Sequence, residues 1–141
     1  MTSLESSEMR KKILFRPTTG PIYIAPADYH LLMEPTYFSL STDEPVLYAR
    51  PSIDVLFESA ADIFREKAIG VILTGASQDG AHGADLIQRR GGFAIVQKPG
   101  TAEYPMMPAA ALATTHTRFI LSLNQIATTL IQMADSMARN H

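Results

Sequence analysis

Residues Ile69–Gly83 read I-G-V-I-L-T-G-A-S-Q-D-G-A-H-G. The opening run through Leu73 is continuously apolar, the pattern of a strand that a parallel sheet buries on both faces. Glycines and polar residues follow, and Ala81–Arg90 then carries a helical pattern that Gly91-Gly92 ends. Phe93–Val96 is a second apolar strand. Strand, short helix and strand form a βαβ unit, whose two strands lie parallel under their crossover helix. Ligands bind such sheets beyond the carboxyl ends of the strands. Thr74–Gly80 therefore stands where a site would form, and it runs into a helix N-terminus whose N–H groups attract negative charge.

Upstream, Ser52 caps a helix with Asp54 in its first turn, where a carboxylate suits the helix dipole. Val55, Leu56, Ala60, Ile63 and Phe64 recur at helical spacing and extend it over Ser52–Lys67. Ile22–Ala25 is β-branched and aromatic and is expected as a strand. His30–Met33 and Tyr37–Leu40, turned at Glu34-Pro35-Thr36, suggest an antiparallel hairpin. Ile13–Phe15 is a short apolar run before a turn at Pro17–Pro21, and residues 1–12 form a polar tail. Downstream, Pro99–Pro108 reads as a loop and Ala109–Ala113 as a short helix. Arg118–Leu121 is a last short strand. Ser122-Leu-Asn-Gln125 is a capping-box pattern opening a helix to about Ala138. Its stripe of Ile126, Leu130, Met133 and Met137 is expected to pack into the core. The fold class is α/β: one domain over residues 13–138, a doubly wound, mostly parallel sheet with helices on both faces, plus an antiparallel hairpin.

The 141 residues suffice for one domain with a sizeable core. Net charge is −2, so no basic field invites nucleic acid. The chain has no cysteine, which excludes disulfides and thiolate chemistry. Met1–Lys12 lacks the apolar run of a signal peptide, and no stretch is long enough to insert in a membrane. The expected location is the cytoplasm.

Gly75, Gly80 and Gly83 match neither the dinucleotide fingerprint nor a phosphate-binding P-loop, and no cofactor is expected. Gly75-Ala-Ser77-Gln-Asp79 matches half of the nucleophile-elbow pattern G-x-S-x-G, but Asp79 stands where its second glycine belongs. Asp79 has three readings: a helix cap, the acid of a triad, or a metal ligand. His82 lies too near in the loop to serve both Ser77 and Asp79. His30 reads as a residue that ties down a loop, His116 and His141 as surface residues. No histidine pair has metal-ligand spacing, so no metal is expected.

Taken together, the segments resemble the catalytic domain of the chemotaxis protein-glutamate methylesterases. The resemblance rests on Tyr23-Ile-Ala-Pro26 with Asp28 and His30, on Arg50-Pro-Ser-Ile-Asp-Val-Leu-Phe57, and on Gly70-Val-Ile-Leu-Thr-Gly75. It continues through Asp79-Gly-Ala81, Gly83, Gly91-Gly92 to Gln97, and Met107-Pro108 with Ala110. It implies a serine hydrolase that demethylates receptor glutamates and, in some members, deamidates glutamines. Asp79 takes the place of the catalytic acid. Thr74, Gly75, Ala76 and Gly80 form the oxyanion and active-site loop, and Met107-Pro108 an active-site turn. The implied partners are methylated chemoreceptor glutamates or another protein substrate.

This chain departs from that pattern. Ala76 and Ser77 replace a methionine and a glycine, and Ala109 an arginine. The family's nucleophile motif G-x-S-T-G-G and base motif Q-H-M-P belong upstream of Tyr23, and the residues there contain neither. A receiver domain, usual in the family, is not among the 141 residues. The expectation is an incomplete domain, inactive alone. It would be a truncated member, one half of a split enzyme, or a non-catalytic module that binds a receptor or partner. In the family a further strand lies beside the one matching Ile69–Leu73, so an exposed sheet edge through which copies associate is also expected.

Overall fold

A computed structural model describes residues 10–13 and 21–139. The remainder of the expected tail, most of the Pro17 turn and His141 lie outside the described residues.

The amino-terminal part is a small antiparallel sheet. Its strands are β1 (Arg10–Ile13), β2 (His30–Met33) and β3 (Phe38–Ser41), in the order β1-β3-β2. The hairpin β2–β3 forms as its pattern indicates, with His30 opposite Ser41 and Met33 opposite Phe38. Arg10–Lys12, read as tail, pair with β3 instead. Ile22–Ala25 is a correction: Pro21–Pro26 forms no strand. Tyr23 packs edge-on against Phe38 at 5.3 Å, but Ile22 and Ile24 are 91% and 88% exposed. Strand composition alone does not make a strand, because β-propensity measures how well side chains pack on a pleated surface more than a preference of the backbone itself.

Helix α1 (Ile53–Phe64) follows, with Ser52 as N-cap, its hydroxyl accepting from the Val55 N–H, and a 3-10 turn Arg65–Lys67. It carries the hairpin on one side: the Met33 N–H donates to the Ser59 hydroxyl at 2.8 Å. The second sheet is parallel, with β4 (Ile69–Ile72), β5 (Phe93–Gln97) and β6 (Phe119–Leu121) in chain order. Helix α2 (Ala81–Arg89) joins β4 to β5, and α3 (Met106–Thr114) joins β5 to β6. The βαβ reading of the opening stretch is therefore what forms. Ile72, Ala84, Ala94, Val96 and Ala111 make the main core, closed by Ile53, Phe57, Met107 and Leu112.

Ala94 to Gln97 of β5 are all buried, so that strand is covered on both faces. β4 corrects the sequence reading: Gly70 and Ile72 are buried, while Ile69 and Val71 are only half-buried and Leu73 is 42% exposed. It is an edge strand among the described residues, paired with β5 alone. Helix α3 begins at Met106, earlier than the expected Ala109, and holds Pro108 in its first turn. Proline is tolerated there because the first N–H groups of a helix have no intrahelical acceptor. The last helix, α4 (Leu123–Arg139), starts with half of the expected capping box, the Ser122 N–H donating to Gln125 Oε1 at 3.0 Å. Of its stripe only Ile126 is buried; Leu130, Met133 and Met137 are half-covered.

An apolar edge with open backbone groups pairs readily with another strand. The purified chain is expected to self-associate at high micromolar concentration, and Leu73→Lys to reduce that association, as read by sedimentation velocity. A wild-type chain that sediments as a monomer throughout would remove the edge as a contact.

Candidate functional site

Two helices start side by side, and each is capped by a carboxylate that belongs to the other's starting segment. Asp79 precedes α2, yet its carboxylate sits on the N-terminus of α1. Oδ1 accepts from the Ser52 hydroxyl at 2.7 Å and the Asp54 N–H at 3.1 Å, and Oδ2 from the Ile53 N–H at 2.7 Å. Asp54, in the first turn of α1, returns the arrangement: its Oδ1 accepts from Gly80 N at 3.0 Å and Gly83 N at 2.7 Å. Glycine is required at two of these positions. Gly80 has φ 104°, and a Cβ on Gly83 would meet Phe57 Cβ at 2.6 Å and Asp54 Cα at 3.1 Å.

Both carboxylates are buried where two positive helix ends meet, so each neutralises the other's helix. Burial pushes the Asp54 carboxyl above its ordinary value; the Gly83 N–H opposes this, the nearby Asp79 charge adds to it, and Gly80 N–H and His82 oppose it.

His30 completes the cluster. Nδ1 accepts from the Ser52 N–H at 3.1 Å and Nε2 faces the Glu44 carbonyl at 2.9 Å, which fixes the neutral tautomer protonated on Nε2. The ring is 1% exposed and both nitrogens are engaged, so it ties the loop to the helix as expected.

The loop after β4 is sewn to the loop after β5. Buried Gln97 accepts from the Thr74 N–H at 3.0 Å and donates to Thr101 O at 3.2 Å. The Thr74 hydroxyl accepts from Tyr104 N at 2.8 Å and donates to Tyr104 O at 3.3 Å, and Gly75 N donates to Tyr104 O at 2.9 Å. Met107 N donates to Gly75 O at 3.1 Å, and the Met107 side chain fills the space a Gly75 Cβ would need. Thr74, Gly75, Met107 and Pro108 thus form one unit. The N–H groups of Thr74, Gly75 and Gly80 are already committed to protein acceptors. That of Ala76 makes no hydrogen bond among the described residues.

Ser77 is a turn residue: its hydroxyl accepts from the Asp79 N–H at 3.2 Å. His82 is exposed on α2, and His116 is exposed with its N–H bonded to Gln88. No group of three or more metal-ligating side chains occurs among the described residues. No helix there is long and apolar enough to cross a membrane. Sequence reasoning identified Asp79 and Ser52 separately but not their contact, and it missed Gln97 as a clamp. Asp54 was legible only as a dipole partner of its own helix.

The family described as CheB methylesterase matches residues 2–130. The chain belongs to the CheB methylesterase family. It is 49% identical over 116 residues to a Leptospira interrogans protein provisionally named protein-glutamate methylesterase/protein-glutamine glutaminase, a match spanning 82% of this chain and 60% of that protein. It is 36% identical over 135 residues to the protein-glutamate methylesterase FrzG of Myxococcus xanthus, covering 95% of this chain and 40% of FrzG. The crystal structure of the Thermotoga maritima CheB methylesterase catalytic domain superposes with a TM-score of 0.76 at 31% identity. That likeness covers 79% of this chain and 61% of the Thermotoga domain. The chain therefore spans about three-fifths of the Leptospira protein and of the solved domain.

Two predictions follow from the crossed caps. Asparagine at position 79 keeps one acceptor oxygen but turns an NH2 toward backbone donors, so Asp79→Asn is expected to cost about 2 kcal/mol in urea unfolding. A change under a few tenths would mean the carboxylate bonds contribute little. For Asp54, the folded state holds the proton more tightly than the unfolded chain. This group's contribution to stability therefore falls as pH rises from its ordinary value through its raised folded value, and returns as pH falls. Relative to Asp54→Asn, the wild type should gain stability between pH 7 and about pH 4. Urea melts of both proteins at the two pH values read this difference, and a relative loss would contradict the burial account.

Proposed function

We propose that this chain supplies the acid and the oxyanion loop of a protein-glutamate methylesterase site. Its substrate is then the γ-methyl ester of a glutamate on another protein, a chemoreceptor in the first instance, or the matching glutamine amide, and its location the cytoplasm. The observation that carries the reading is the Asp79 carboxylate, buried and aimed by three donors at the carboxyl end of the parallel sheet. It lies on the loop whose Ala76 N–H has no acceptor among the described residues.

Ester hydrolysis by the serine route needs a hydroxyl to attack the carbonyl and an imidazole to take its proton. A carboxylate holds that imidazole, and N–H donors receive the developing oxyanion. Asp79 suits the third role because its bonds to α1 fix it before an imidazole arrives. Ala76 suits the fourth. After attack, methanol leaves, and water then frees the glutamate; from an amide the leaving group is ammonia.

Nothing described here serves the first two roles. Ser77 accepts from the Asp79 N–H, and His30 is locked in the cap network. Nucleophile and base are thus assigned to protein outside these residues.

The test is complementation. The chain is mixed with the segment of the Leptospira interrogans relative that it does not cover, and methanol release from methylated chemoreceptor is followed. Neither part alone should act, the mixture should, and Asp79→Asn in the mixture should lose roughly 10³-fold or more. Release by the chain alone that disappears in Ser77→Ala would restore Ser77 as nucleophile. Receptor binding without release from the mixture would instead favour a non-catalytic binding module.

A further inference from the structure

Between β3 and α1 the backbones of Val46 and Ala49 exchange both hydrogen bonds, at 3.0 and 2.8 Å. Leu47 and Tyr48 are therefore the two central residues of a two-residue hairpin turn. Both have left-handed backbones, with φ 49° and 66°. A turn with two positive φ values is made with least strain by Asn-Gly or Asp-Gly. Leucine and tyrosine each place a Cβ against the backbone there. Little of the fold packs on the tip among the described residues: Tyr48 is 103% exposed and Leu47 53%.

Strain of this kind concentrates at ligand clamps and recognition loops. The residue types agree with that role, since tyrosine is a rigid, two-sided contact enriched at protein interfaces. The position agrees as well. Leu47 forms one wall of a cleft of ≈ 370 Å³ whose other walls include Asp54, Gln78, His82, Ala110 and Thr114. Gln78 belongs to the same loop as Ala76 and Asp79, so the tip and the candidate site share one face of the molecule.

We infer that the Leu47–Tyr48 turn is a docking contact for the protein substrate, meeting apolar side chains on its surface beside the modified glutamate. This rests on the reading that the site acts on a glutamate of another protein. A glutamyl side chain is short, so its own backbone and neighbouring residues remain outside the loop when the ester is seated. A raised apolar tip beside the loop reaches those neighbours, and only a macromolecular substrate has them. A small free ester would leave Tyr48 in water and the strain without a return.

The test separates docking from folding because the substitutions that remove the contact also relax the turn. Leu47→Asn/Tyr48→Gly restores the residues this turn favours and is expected to raise the melting temperature by about 3 °C. Binding of the full chain to an immobilised, methylated chemoreceptor cytoplasmic fragment should weaken about tenfold or more. Tyr48→Ala, which deletes a side chain in full solvent, should weaken it as well. Equal binding by wild type and both variants would overturn the docking role and leave the proposed function standing. A wild-type chain that does not bind the fragment would overturn the docking role, while the complementation assay would still decide the proposed function. Loss of binding only in the double variant, with a lowered melting temperature, would mark a folding defect and also overturn it. So would variants that bind the receptor normally but lose self-association, since the tip would then join copies of the chain.

Discussion

Two helix N-termini converge in this fold, and each carries the partial positive charge of several unpaired N–H groups. Left alone, they would repel and leave donors buried. Asp79 on α1 and Asp54 on α2 satisfy both ends at once. Bonds of this charge-assisted kind contribute about 1.5–3 kcal/mol each, more than neutral ones. The cost is burying a carboxylate beside a second charge: burial first, and the Asp79 charge after it, push the Asp54 carboxyl upward. Gly83 allows the contact, because any side chain there would drive the helices apart. The position of the loop from Thr74 to Gly80 follows from this pairing, since Asp79 and Gly80 are held at its end.

The same pairing explains what the histidines do. A serine hydrolase needs an imidazole with one nitrogen free to take a proton. His30 is close to Asp79 through Ser52, and a sequence reader could place those three types together as a triad. The geometry says otherwise. Ser52 gives its hydroxyl proton to Asp79 and its N–H to His30, so the imidazole is an acceptor for backbone and the serine a donor to the acid. The cluster has the composition of a triad and the wiring of a helix cap.

Elements with a strong period were legible from sequence: α1, α2, the β2–β3 hairpin and the strands of the parallel sheet. Their limits were set by local chemistry, such as the Ser52 cap and the Gly91-Gly92 stop. What escaped were properties of neighbours. Ile22–Ala25 has strand composition yet Pro21–Pro26 forms no strand, and β4 has the pattern of a strand buried on both faces while Ile69 and Val71 are only half-buried. Pro108 suggested a loop until its place in a first turn made it harmless. The crossed caps were the least legible feature, because donor and acceptor lie some 25 residues apart and a carboxylate carries no mark of which helix it will serve. Asp79 read as a helix cap, the acid of a triad or a metal ligand, and its carboxylate sits on the N-terminus of the neighbouring helix α1.

Every group in the crossed caps lies between residues 52 and 83, and His30, itself held by the Glu44 carbonyl, joins them from outside. The orientation of the Asp79 carboxylate is thus encoded locally, by the helix pair it joins. Pulling either helix out of line would unpair donors on both, so the two move as one rigid lever rather than as separate rods.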